Sequence, residues 1–284
     1  MVILFTPLFA EKLDFSSLIN EFMEEGNVLK KSINLSGKQR MFTQRISKLA
    51  LQVDLNIQKS KSMVELKEVA ELYSKTLKAF KNGDTELNIK KANNSKVISQ
   101  IETVEKEWKP FYEHIQLIVN GKGDEKSLAY IIDNNENLLT ISNDLVKAYE
   151  ISNNSSNYLE KARLRVVNVA GRQRMLTQKM TKEKLLLLKG EKAYSEKLVG
   201  TIKLFDSSLK AIINGDKQQN ISKPTNEKIL KQLKVVSELW TTLKPLYEKE
   251  KNTAKELALI VSKNLVLLKE MNAMVQLAEK EAEY

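Results

Sequence analysis

The chain has 284 residues, enough for one large or two medium domains that each bury a core. Charged residues make up 29% and aromatics 6%, with only 9 Gly and 4 Pro, a mixture that suits long amphipathic helices and excludes a turn-rich sheet fold. The formal charge of +10 arises from 40 Lys and 6 Arg without an Arg/Lys cluster interleaved with aromatics, so nucleic acid is not an expected partner, while weak attraction to anionic membrane stays open.

In chain order, residues 1–10 are uncharged and mostly apolar, and polarity begins at Glu11. The segment reads as the truncated end of a secretory signal with cleavage after Ala10, and so as export to the periplasm; a disordered or buried apolar N-terminus is the alternative. No later stretch reaches eighteen uncharged apolar residues, so the mature chain is not expected to span a membrane. Helical spacing of apolar positions then predicts helices over 13–57, 63–81 and 95–119, separated by turns at Asn82-Gly83-Asp84 and Asn120-Gly121-Lys122-Gly123-Asp124. From Glu125 the helical pattern continues to Lys189, read as one long helix or two nearly coaxial ones, roughly 95 Å in length. Helices over 191–213, 226–250 and 252–281 complete the chain. Short connections favour up-and-down packing, so the expected fold is all-α: two tandem antiparallel four-helix bundles sharing a long central helix, with domains at 11–150 and 151–284.

The duplication is explicit. Residues 33–48, INLSGKQRMFTQRISK, return as VNVAGRQRMLTQKMTK at 167–182, with eight identities in sixteen positions. Most of these are polar, so amphipathic patterning does not account for them. Leu77–Asp84 parallels Leu209–Asp216, and Trp108, Pro110 and Tyr112 have counterparts in Trp240, Pro245 and Tyr247. A period this long marks a duplicated domain and not a solenoid.

All six arginines, at positions 40, 45, 163, 165, 172 and 174, lie in or just before the two motif copies of a chain that otherwise uses Lys. A guanidinium is a planar fork of donors matched to a flat oxyanion, whereas an ammonium is a hydrated point charge. Gly37, Arg40 and Gln44 share one helix face, as do Gly171, Arg174 and Gln178, while Arg45 lies about 140° around from Arg40. A helical Gly costs about 1 kcal/mol relative to Ala, so its repetition suggests close approach of a second backbone. Neither motif contains Asp or Glu, so its arginines have no local carboxylate. An unpaired buried charge is costly, which points to an anion from elsewhere; plain helix packing, with the arginines paired to local carboxylates, is the competing reading.

Met41, Met175, Phe42 and Leu176 read as core. With no Cys and a single His114, which reads as a half-exposed packing residue, no metal site is expected. No cofactor is expected, and no nucleophile stands with a base, so the chain does not read as an enzyme.

The pattern Asn-x-x-Gly-x-x-Arg-Met-x-x-Gln-(Arg/Lys) resembles the box of PilJ-type sensory domains. These occur in extracytoplasmic parts of type IV pilus chemotaxis receptors and are related to the nitrate/nitrite-sensing domain of NarX-type histidine kinases. The resemblance covers about residues 25–150 and 158–284. It implies that Arg40 and Arg174 grip one nitrate or nitrite, with Gly37 and Gly171 permitting approach and Arg45, Gln44 and Gln178 nearby. Lys179 stands where the family has a second Arg, so the site is not fully symmetric. In relatives the two boxes come from a dimer; here pairing within one chain and pairing in a homodimer are both open. The chain continues into neither a membrane helix nor a signalling module, so the expectation is a sensor that passes its signal to a separate membrane receptor or histidine kinase. The alternative is a helical interaction protein of a pilus or chemosensory system without a small ligand.

Overall fold

The computed structural model describes residues 28–152, 158–219 and 221–281. Its helices are α1 (Val28–Asp54), α2 (Lys59–Asn82), α3 (Ser95–Val119), α4 (Glu125–Asp133), α5 (Asn135–Ser152), α6 (Tyr158–Leu188), α7 (Tyr194–Asn214), α8 (Glu227–Glu248) and α9 (Ala254–Glu281). Among the described residues the β content is two isolated bridges, Asp84–Ile89 and Asp216–Ile221. The protein is all-α, as its composition predicts. The proposed signal segment at residues 1–10, and the start of the first helix expected from residue 13, lie outside the described residues.

Local chemistry sets the helix ends. The Asn94 side chain accepts from the backbone N–H of Lys96 and Val97, Asp124 accepts from Ser127, and Asn226 accepts from Lys228. Thr253 and Glu256 form a reciprocal capping box at the start of α9. The two Asn-Gly-Asp turns are built alike: Gly83 and Gly215 take φ of 81° and 78°, a region open to Gly without strain. Asp84 and Asp216 each then accept a backbone N–H three residues on.

The helices pack as two bundles. In the first, α1, α2, α3 and the α4–α5 pair surround one core; in the second, α6, α7, α8 and α9 do so. Indole N–H groups bind the second helix of each copy, Trp108 to Ser74 at 2.9 Å and Trp240 to Asp206 at 3.0 Å. His114 is a partly buried packing residue, its ring 4.2 Å from that of Tyr130.

The bundles are joined through α1 and α6, the two motif helices, which lie side by side. Contacts rise together along both: Arg40 meets Asn168, Arg45 meets Gln178 and Asp54 meets Lys189, so the helices run parallel. From Lys31 to Val53 nearly every residue of α1 is buried, because its own bundle covers one side and α6 the other. A helix covered all round is normally apolar. These are not, and their polar side chains must find partners inside.

The expected long central helix is not formed. A straight helix would separate residues 150 and 168 by about 27 Å. Instead the Asn168 amide donates to Glu150 at 2.7 Å, and Lys182 donates to Asn135, also at 2.7 Å. Helices α5 and α6 therefore run antiparallel on either flank of α1, and α4 is separated from α5 at Asn134. The sequence carries a signal for this break that the absence of Gly and Pro obscures: residues 152–157 read SNNSSN, six polar residues with no apolar position, a run that marks a loop between helices.

Candidate functional site

The motif side chains form two polar layers in the apolar seam between the bundles. The upper layer is built on the arginines that share a face with glycine. Arg40 donates from Nη1 to Asn143 Oδ1 on α5 and from Nη2 to Asn168 Oδ1 on α6, both at 2.9 Å. Arg174 repeats this by pseudo-twofold symmetry, with Nη1 to Asn272 Oδ1 on α9 at 2.9 Å and Nη2 to Asn34 Oδ1 on α1 at 2.8 Å. Each guanidinium thus bridges the last helix of its own bundle and the motif helix of the other. Helical side chains lean toward the N-terminus, which brings Arg40 back over residue 37.

That lean explains the glycines differently from the sequence expectation. A Cβ placed on Gly37 would meet Arg40 Nη2 at 3.3 Å, and one on Gly171 would meet Arg174 Nη2 at 3.3 Å. The space is kept for the arginine of the same helix, not for a second backbone.

Both arginines are buried, with 4% and 1% exposure. Burial is the main cause that lowers each to about 10, so both remain charged at neutral pH. Neutral amide oxygens, not carboxylates, hold their terminal nitrogens. Counter-charge acts from the last helices: Glu150 favours the charged form of Arg40, and Glu279 that of Arg174. Arg174 in turn disfavours the charge on Arg40 and on the buried Lys38, so three cations crowd one layer. Arg40 Nε, Arg174 Nε and Asn272 Nδ2 are buried donors that find no acceptor among the described residues.

The lower layer begins one turn further on. Gln44 Nε2 donates to Asn135 Oδ1 at 2.9 Å and Gln178 Nε2 to Asn264 Oδ1 at 3.1 Å, while those asparagines donate to the carbonyls of Thr43 and Thr177. Lys48 crosses to Asn264 and Lys182 to Asn135. Arg45 is engaged here. Its Nη2 pairs with Glu65 of α2 at 2.8 Å and its Nη1 donates to Gln178. Lys179, at the equivalent place, pairs with Glu136 at 2.9 Å, and Lys182 shares the same carboxylate. Burial pushes Glu136 upward, but the two ammoniums outweigh it and bring its carboxyl to about 2.

Of the residues singled out by sequence, Gly37, Arg40, Gly171 and Arg174 therefore meet in one layer. Gln44, Arg45 and Gln178 belong to another, where their terminal N–H groups donate to protein oxygens while Gln44 Oε1 finds no donor among the described residues. The sequence reading missed Asn143 and Asn272, Asn135 and Asn264, and Glu150 and Glu279. A signal was present: Asn135, Asn143 and Glu150 recur as Asn264, Asn272 and Glu279 with identical spacing. Asn is a weak helix former in a helix interior, so its repetition at matched places calls for a specific partner.

The family profile described as type IV pili methyl-accepting chemotaxis transducer N-term, PilJ, matches residues 25–132 and 160–262. The chain belongs to the PilJ family. It carries two PilJ domains in tandem, so the family's sensory bundle occurs twice in one polypeptide. No curated protein matches the chain. No helix among the described residues is long and apolar enough to cross a membrane, and no group of His, Asp or Glu among them is arranged to hold a metal ion.

Proposed function

We propose that this tandem PilJ protein is an extracytoplasmic sensor that binds one small planar oxyanion, nitrate or nitrite, per chain. The ligand sits between the two motif helices on Arg40 and Arg174, and a membrane receptor or histidine kinase reads the outcome. The observation that carries this reading is the set of buried donors left without an acceptor in the arginine layer: Arg40 Nε, Arg174 Nε and Asn272 Nδ2. An unsatisfied buried donor costs about 1–3 kcal/mol, and more when charged. Three in one layer, two of them on guanidiniums without a directly bonded carboxylate, form a place where a compact acceptor of negative charge is strongly favoured. A flat anion with several oxygens fits because each guanidinium offers a planar edge.

Such a ligand would compete for the donors that now bind Asn34 and Asn168, which lie on the opposite motif helices. Releasing these cross-helix bonds would let α1 and α6 shift relative to each other, while the ion-paired lower layer holds them together. A ligand that binds one such arrangement better than the other shifts the population between them.

Titration calorimetry and thermal shift with sodium nitrate against sodium chloride at equal ionic strength test the reading. The wild type is expected to bind one nitrate per chain and to melt higher with it. Arg40→Lys and Arg174→Lys keep a charge but lose the fork, and each should weaken binding roughly ten- to a hundredfold. Equal stabilisation of the wild type and the double variant by nitrate would sink the proposal.

A further inference from the structure

The arginine layer includes two carboxylates that anion binding alone does not explain. Glu150 and Glu279 occupy equal places, seven residues beyond Asn143 and Asn272. Residues at i and i+7 share a helix face, so each carboxylate stands on the same face of its helix as its asparagine. An anion receptor gains nothing in affinity from negative charge beside its cations. Yet both copies have it.

Glu150 reaches Arg40 through Asn168. Asn168 Nδ2 donates to Glu150 Oε1 at 2.7 Å, and Asn168 Oδ1 accepts from Arg40 Nη2 at 2.9 Å. An amide has one acceptor end and one donor end. With its donor end held by Glu150, Asn168 must present its oxygen to Arg40, where it occupies a donor that an oxyanion would use. If the amide were released and turned, its NH2 would face the anion instead.

We propose that Glu150, with Glu279 as its counterpart, is a positioning residue that latches the anion-free state: it holds Asn168 oxygen-first on Arg40 and opposes the incoming anion, and so sets the affinity of the site. This rests on the anion-sensing reading above. The charged groups facing Glu150 are Arg40 from α1, Arg165 from α6 and Lys147 from α5 itself. Burial outweighs their attraction and pushes the Glu150 carboxyl up. Acidification therefore neutralises Glu150 before ordinary carboxylates, releases the latch and tightens anion binding.

The test is nitrate calorimetry on the full chain, from neutral pH to about pH 5, with wild type, Glu150→Gln and Glu86→Gln. Glutamine keeps the shape but, like a protonated carboxyl and unlike a carboxylate, can donate as well as accept, so the charge is lost and Asn168 is no longer forced to turn its donor end toward residue 150. Glu86→Gln removes the same unit charge from an exposed turn of the same bundle. Glu150→Gln should bind nitrate about tenfold tighter at neutral pH and lose most of the pH dependence. Wild type and Glu86→Gln should bind alike, both tightening as pH falls. A wild type that binds nitrate while Glu150→Gln matches it in affinity and pH profile refutes the latch and leaves the sensor reading intact. No nitrate binding by either protein at any pH overturns both.

Discussion

The two arginines of the first motif should respond in opposite ways to the same substitution. Arg45 and Arg40 are both buried and charged, but Arg45 is paired with Glu65, and Arg40 is held by amide oxygens. Arg45→Met leaves the Glu65 carboxylate, itself buried, without its main partner. Breaking a buried pair in this way costs about 3–5 kcal/mol. Lys61 Nζ lies 3.9 Å from Glu65 and offsets part of this, which places the loss near the lower figure, about 3 kcal/mol. In Arg40→Met two effects oppose each other. Burial holds the Arg40 guanidinium down to about 10, equivalent to roughly 3 kcal/mol of unfavourable free energy that methionine does not incur. Against this, Asn143 and Asn168 each lose a donor, at about 1–3 kcal/mol apiece. The two losses total about 2–6 kcal/mol, so the net effect on the ligand-free protein runs from about 1 kcal/mol of gain to about 3 kcal/mol of loss, centred near 1 kcal/mol of loss. At about 2–4 °C per kcal/mol, Arg45→Met should melt roughly 6–12 °C below the wild type, and Arg40→Met closer to it. The assay is thermal and urea unfolding, with and without nitrate. Arg45→Met should still gain stability with nitrate, and Arg40→Met should not. An Arg40→Met protein as unstable as Arg45→Met, or an Arg45→Met protein that folds but ignores nitrate, would refute the division into a binding layer and a structural layer.

Other consequences follow from the same geometry. Gly37→Ala and Gly171→Ala place a methyl 3.3 Å from a guanidinium nitrogen, so the arginine must shift by a few tenths of an ångström. Helix propensity improves by about 1 kcal/mol, so stability in urea should hold or rise while calorimetric nitrate affinity falls severalfold. Glu136 joins the bundles through Lys179 and Lys182, and its carboxyl is lowered from the ordinary 4.5 to about 2. A lowered carboxylate stabilises the fold fully above its unfolded value and loses that contribution as pH falls toward its folded value. The urea midpoints of wild type and Glu136→Gln should therefore differ at neutral pH and converge between about pH 4.5 and about pH 2. Divergence on acidification would contradict the assignment.

What the sequence determined by itself is local and repetitive. The helix predicted over 95–119 is found as Ser95–Val119, the turns at Asn82 and Asn120 are in place, and the Asn-Gly-Asp turn recurs because Gly83 and Gly215 supply the positive φ. The restriction of arginine to two matched motifs was enough to bring Arg40 and Arg174 forward, since repetition of polar residues is visible without coordinates. Only the tertiary structure decided what those residues touch. Arg40 and Asn168 are 128 positions apart, and no periodicity encodes the choice of which helix lies beside which. Pairing of the two motifs within one chain, rather than between chains, was left open by the sequence for that reason, whereas the end of α5 was legible in the six polar residues 152–157. Gly37 looked like a site of backbone approach because its space is filled by a side chain from its own helix. Arg45 looked like a possible ligand contact because the carboxylate that neutralises it, Glu65, arrives from α2. Helix faces follow from spacing along the chain. The partner of a buried charge follows from packing, and packing alone placed neutral amide oxygens on Arg40 and Arg174 and a carboxylate on Arg45.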